Sequence, residues 1–158
     1  MYNECMGNVE GHKNRKLVIG VVLIAFGLYA VISGIVNATD NVQPLVAPSG
    51  TLRIEIVDDP ESRRLGLSGR DEIGDHEGML FVFDEPSAQN CFWMKDMRFS
   101  IDMVWLDSAK RVLNSISDVS PDTYPDSFCP VSEAKYGLEV GSGRAQELGL
   151  SDGETVRF

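Results

Sequence analysis

The hydrophobic pattern along the chain changes character once, near residue 37. Leu17 to Val36 is a run of twenty residues without a charge, an amide side chain or a proline. At about 1.5 Å per residue such a helix is roughly 30 Å long, the thickness of a hydrocarbon core. Asn37 to Gly50 is polar, carries Pro44 and Pro48, and reads as a linker. From residue 51 the apolar segments shorten to strand length. Leu52, Ile54 and Ile56 alternate with Arg53 and Glu55, the mark of a half-buried strand. Asp59-Pro60-Glu61 supplies an N-cap, a first-turn proline and a first-turn acid, predicting a short helix from Pro60 to about Leu67, stopped near Gly69.

Asp71 to Gly78 reads as an acidic loop, followed by the continuous apolar run Met79-Leu80-Phe81-Val82-Phe83. Further strands are predicted at Cys91–Met94, Ile101–Leu106, Arg111–Ser117, Tyr136–Val140 and Glu154–Phe158. Asp118 to Val131 contains three prolines and reads as a long loop, and Arg144–Leu148 suits one or two helical turns ended by Gly149. Six to eight short strands with one or two short helices predict a mainly-β barrel or sandwich, preceded by a single transmembrane helix. The organisation is a cytoplasmic tail at 1–16, the span at 17–36, the linker at 37–50 and one domain at 51–158.

Charge orients this arrangement. Lys13, Arg15 and Lys16 precede the apolar run, and no Lys or Arg follows until Arg53, so the N-terminus is expected in the cytoplasm and the domain outside. Val36-Asn37-Ala38 has the small-residue look of a signal-peptide cleavage site, but the run exceeds the usual h-region, which favours a retained anchor. Gly20, Gly27 and Gly34 recur at heptad spacing and share a face, either because glycine is common in membrane helices or as a homodimer contact. Residues 39–158 carry 11 Lys and Arg against 22 Asp and Glu, a balance that repels phosphate backbones and argues against nucleic acid as a partner. Cys91 and Cys129 lie in the exported part, where two cysteines pair more often than they stay free. Their spacing is unlike Cys-x-x-Cys, so the expected disulfide is structural.

Five ordered blocks carry a family resemblance. They are Glu61-Ser62-Arg63-Arg64-Leu65-Gly66-Leu67-Ser68-Gly69-Arg70; Gly78-Met79-Leu80-Phe81-Val82-Phe83; Phe92-Trp93-Met94-Lys95-Asp96-Met97; Ile101-Asp102-Met103-Val104-Trp105-Leu106-Asp107; and Ala134-Lys135-Tyr136-Gly137-Leu138-Glu139-Val140 with Gly143. Together they resemble the domain-of-unknown-function 192 family over about residues 51–158. The resemblance implies a largely β single domain, often exported or anchored, with no established activity. Arg63, Arg70, Asp102 and Glu139 match polar positions of that family.

Those positions admit two readings. Arg63 and Lys95, with Arg70 and the aromatic Trp93, suit a site for a carboxylate or sulfate-like group of an envelope component. Alternatively they are internal ion pairs, Arg63 or Lys95 with Asp102 or Glu139, since buried charges are normally paired. Asp102 and Glu139 are also the candidates for an acid–base pair in an envelope hydrolase. Phe92, Trp93, Met94 and Trp105 suit either a core or a pocket wall. Met94-x-x-Met97 has the softness for copper(I), although methionine more often fills core gaps. His76 is the domain's single histidine, so no zinc set is assembled. Gly66-Leu67-Ser68-Gly69 lacks the last residue of a nucleophile elbow, and no phosphate-cradling glycine loop is present, so no cofactor is implied. The chain thus reads as a membrane-tethered binding or envelope-accessory module for a small polar or anionic component, with the hydrolase and a purely structural or interaction module as alternatives.

Overall fold

The computed structural model describes residues 41–158. The span at 17–36, its glycine face and the cleavage position after Ala38 lie outside the described residues. Among the described residues no helix is long and apolar enough to cross a membrane.

Strands β1 (Val42–Ala47), β2 (Gly50–Val57), β3 (Glu77–Ser87), β5 (Ile101–Leu106), β6 (Val112–Val119) and β8 (Ala134–Gly141) form one six-stranded sheet. Its order is β1-β2-β3-β8-β5-β6. The short β4 (Phe92–Trp93) and β7 (Ser127–Phe128) make a separate antiparallel pair. Helix α1 (Pro60–Leu65) connects β2 to the parallel strand β3, and α2 (Arg144–Glu147) follows β8. The mainly-β class and the two short helices stand. The sheet is open, however, and neither a barrel nor a sandwich of two large sheets.

An open sheet is stable here because other segments cover both of its faces. Side chains alternate across a strand. On one face Leu80, Val104, Leu106, Leu138 and Val140 pack with Ala145, Leu148, Leu150 and Val156 from the C-terminal segment. On the other, Met79, Phe81, Met103 and Trp105 pack with Leu67 after α1 and with Phe92 and Met94. Every residue of β5 is therefore buried, which explains its near-continuous apolar run.

The linker expected at 37–50 becomes, from Val42, the strand β1, paired antiparallel with β2 through Leu45↔Leu52 and Ala47↔Gly50. Its prolines mislead because an edge strand tolerates the lost donor, and β1 is an edge. The loop expected at 118–131 contains a 3₁₀ turn at Pro121–Thr123 and the strand β7. The strand expected at Glu154–Phe158 is reduced to single antiparallel bridges, Thr155 with Arg111 and Arg157 with Val46.

Candidate functional site

Helix α1 is held at both ends by local chemistry. The Asp59 carboxylate accepts from the backbone N–H of Glu61 at 2.9 Å and Ser62 at 3.1 Å. The Ser62 hydroxyl also donates to that carboxylate, and the two residues together hold the Asp59 pKa below the usual carboxylate value. Gly66 ends the helix at φ +52°, and a Cβ there would stand 3.3 Å from the Phe81 ring. The backbone conformation calls for glycine, and the ring contact adds a tight fit that any side chain would have to push aside. The chain beyond is tied to the 92–97 segment: Ser68 Oγ donates to the Lys95 carbonyl at 2.8 Å, and the Gly69 N–H to the Asp96 carbonyl at 2.9 Å.

Opposite α1, Gly137 of β8 leaves a gap in the sheet surface that the Phe92 ring occupies. A Cβ on Gly137 would lie 2.3 Å from Phe92 Cζ. Around Phe92 stand Phe81 and Trp105, with ring centroids 4.7 and 5.3 Å away. The disulfide expected between Cys91 and Cys129 is present, and it closes the end of the β4–β7 pair next to Phe92 and Phe128.

Between α1, β4 and the sheet remains a cavity of about 220 Å³. Leu65, Leu67, Phe81, Phe83, Phe92, Trp93 and Met97 provide its apolar lining. Arg64, Leu65, Ser68 and Trp93 continue into an adjoining groove of about 90 Å³ that reaches Lys95 and Asp96. Trp93 is 46% exposed, and its ring has Lys95 Nζ 5.9 Å away and Tyr124 edge-on at 6.4 Å.

Glu139 also lines this cavity, and it is 5% exposed. Its cross-strand neighbours are Met79 and Met103, so it lies in an apolar row. Its carboxyl group has no hydrogen bond or ion pair among the described residues, and burial pushes its pKa up to about 8. Desolvation disfavours the charged form, so the group is mostly protonated at pH 7. A recess of about 430 Å³ beside β1, β2 and His76 is larger, but no buried charged side chain lines it.

The remaining candidates are distributed differently. Arg63 lines the cavity, but its guanidinium bonds the Val82 carbonyl at 2.7 Å, the Asp84 carboxylate at 2.8 Å and the Asp58 carbonyl. It pins α1 to β3 and does not pair with Asp102 or Glu139. Arg70 points to Glu55, with which it forms hydrogen bonds of 2.8 and 3.1 Å, outside the cavity. Asp102 is fully buried on the opposite face, as the alternation of β5 and β8 requires: Met103, not Asp102, pairs with Glu139. Its carboxylate accepts from the N–H of Asp118 at 2.9 Å, Gly143 at 3.1 Å and Ala145 at 2.9 Å. Asp102 and Glu139 therefore do not converge on one substrate, and Arg63, Arg70 and Lys95 do not form a single anion site.

Arg64, part of the basic cluster with Arg63 and Arg70, is exposed at the cavity mouth without an ion pair among the described residues, and Met97, weighed in sequence with Met94 as a soft ligand or core filler, lines the cavity; sequence reasoning passed over Leu67, Phe81 and Phe83 as its wall. Period-two alternation assigns Phe81 and Phe83 to one face. It does not say which face carries the cavity.

Fold and site define a class: an open mixed sheet with a part-apolar cavity built against one face around a buried acid. The chain belongs to the domain-of-unknown-function 192 family, described as an uncharacterised ACR, whose model matches residues 44–158. A protein of unknown function from Novosphingobium aromaticivorans DSM 12444 is similar at 26% identity and a TM-score of 0.69, covering 74% of this chain and 85% of that one. A putative transcription regulator from Sinorhizobium meliloti 1021 is similar at 26% identity and a TM-score of 0.64, covering 72% and 89%. No curated protein matches the chain.

Proposed function

We propose that the domain is a small-molecule binding module of the cell envelope, held at the membrane by Leu17–Val36 with its C-terminal part outside the cytoplasm. One observation carries the binding reading: the carboxyl group of Glu139 is buried, lacks a partner among the described residues and opens on a cavity. A buried polar group without a partner is costly. A ligand that bonds it while filling the apolar lining removes that cost. Cavities of about 150 Å³ accept a benzene ring, so this one suits a ring or short chain with one polar end.

The test is thermal unfolding of the full chain in nanodiscs against ring-sized neutral, cationic, anionic and zwitterionic fragments. A true ligand at about a hundred times its Kd adds about 2.7 kcal/mol, and Glu139→Leu should remove that gain. No stabilisation by any fragment would overturn the reading in favour of a structural module. The anchor is tested separately by alkaline extraction and N-terminal mass; a protein beginning at Thr39 would overturn it.

A further inference from the structure

Resting on the binding reading, we infer that the ligand is a small organic cation: an amine on a short apolar or aromatic body, its ammonium against Glu139 and its body among Phe81, Phe83, Phe92 and Trp93. The lining decides the sign of the charge. Aromatic rings present negative faces, which attract ammonium groups and repel carboxylates. Glu139 is the one ionisable side chain among the lining residues that is buried and unpaired among the described residues. An anion seated in its place would face this acid.

Cations around the site do not reverse this. From α1, Arg63 is neutralised by Asp84, and Arg64 is exposed to water at the mouth. From the β4 side, Lys95 and Asp96 are exposed in the adjoining groove and carry opposite charges. From the sheet, the neighbours of Glu139 are Met79 and Met103, which do not ionise. The twofold excess of acid over base in residues 39–158 concentrates cations near the whole surface.

Seating an ammonium on Glu139 requires the carboxylate, so binding must expel the proton that burial retains below pH 8. A primary amine stays protonated across this range. Its apparent affinity should therefore rise by about fifty-fold between pH 6 and pH 8. A neutral ligand that accepts a hydrogen bond from the protonated acid shows the opposite trend.

Benzylammonium, benzyl alcohol and benzoate, titrated calorimetrically into the full chain in nanodiscs of neutral lipid, separate the possibilities. The expected result is benzylammonium binding at least tenfold more tightly than benzyl alcohol, no binding of benzoate, and affinity rising with pH. Glu139→Gln should abolish both the preference and the pH dependence; the pH profile of the unaltered protein is a test that needs no variant. Benzyl alcohol or benzoate binding as well as the amine, or amine affinity falling as pH rises, would overturn the cation while leaving the binding module standing. Silence from all three probes would overturn the cation, and an empty fragment screen as well would remove the binding module with it.

Discussion

Between Met79 and Met103, Glu139 occupies a strand position that an apolar residue would fill more stably. Its effect on stability follows from where its proton is held. Below the ordinary glutamate value of 4.5 both the folded and the unfolded chain are protonated there. Between 4.5 and about 8 only the folded chain keeps the proton, so stability falls as pH rises, and it levels off above about 8. The loss is on the order of a few kcal/mol. Glu77, whose pKa is lowered chiefly by its hydrogen bond from Arg53, acts in the other direction: its contribution is lost as pH falls below the ordinary value, outside that window. Denaturant titrations at pH 5 and pH 9 should therefore show wild-type protein losing stability with pH, and Glu139→Gln losing much less.

At the scale of elements, the two acids of the strand core have separate tasks. Asp102 fastens the start of α2 and the Asp118 backbone to β5 through three N–H donors. Asp102→Ala leaves those donors without their acceptor and should cost about 3 kcal/mol, with ligand affinity in the folded protein unchanged, because the cavity is on the other face. A collapse of affinity at temperatures where the variant is fully folded would contradict this division. The pairing of β8 with Phe92 depends on the missing side chain at Gly137. Gly137→Ala should destabilise by about 2 kcal/mol through overpacking and, by displacing Phe92, weaken ligand binding as well. Urea unfolding alongside calorimetry reads both effects.

Across the whole described domain, the disulfide joins segments 38 residues apart in sequence. Strands β5 and β6 lie between them in the chain, so the bond links the cavity wall to the segment that follows β7, which reaches β4 only after two sheet strands have formed. The chain-entropy argument values a loop of this length at roughly 4 kcal/mol. The double variant Cys91→Ser, Cys129→Ser should lose about that much in urea unfolding. It should also bind ligand less tightly, since Cys91 and Phe92 both line the cavity. Unchanged affinity with lowered stability would assign the bond to folding alone.

Much of this was readable from the residues in order. The Asp59-Pro60-Glu61 start of α1, the apolar runs of β3 and β5, the cysteine pair and the oddity of Glu139 within Tyr136–Val140 are all local signals, set by propensity, period and composition. The family blocks were legible for the same reason. Other features depended on distant contacts. Pro44 and Pro48 conceal β1 until its place at the sheet edge is known, and the open sheet follows from two coverings that strand patterns do not reveal. Arg63 and Arg70 look alike in sequence, yet Asp84 and Glu55 neutralise them in different places. Asp102 and Glu139 likewise look like a pair, and only the β5–β8 register puts them on opposite faces. Alternation along each strand is a local property. Which residue of a neighbouring strand it meets is decided by how the strands pair, and that pairing leaves one acid bonded and the other waiting in a cavity.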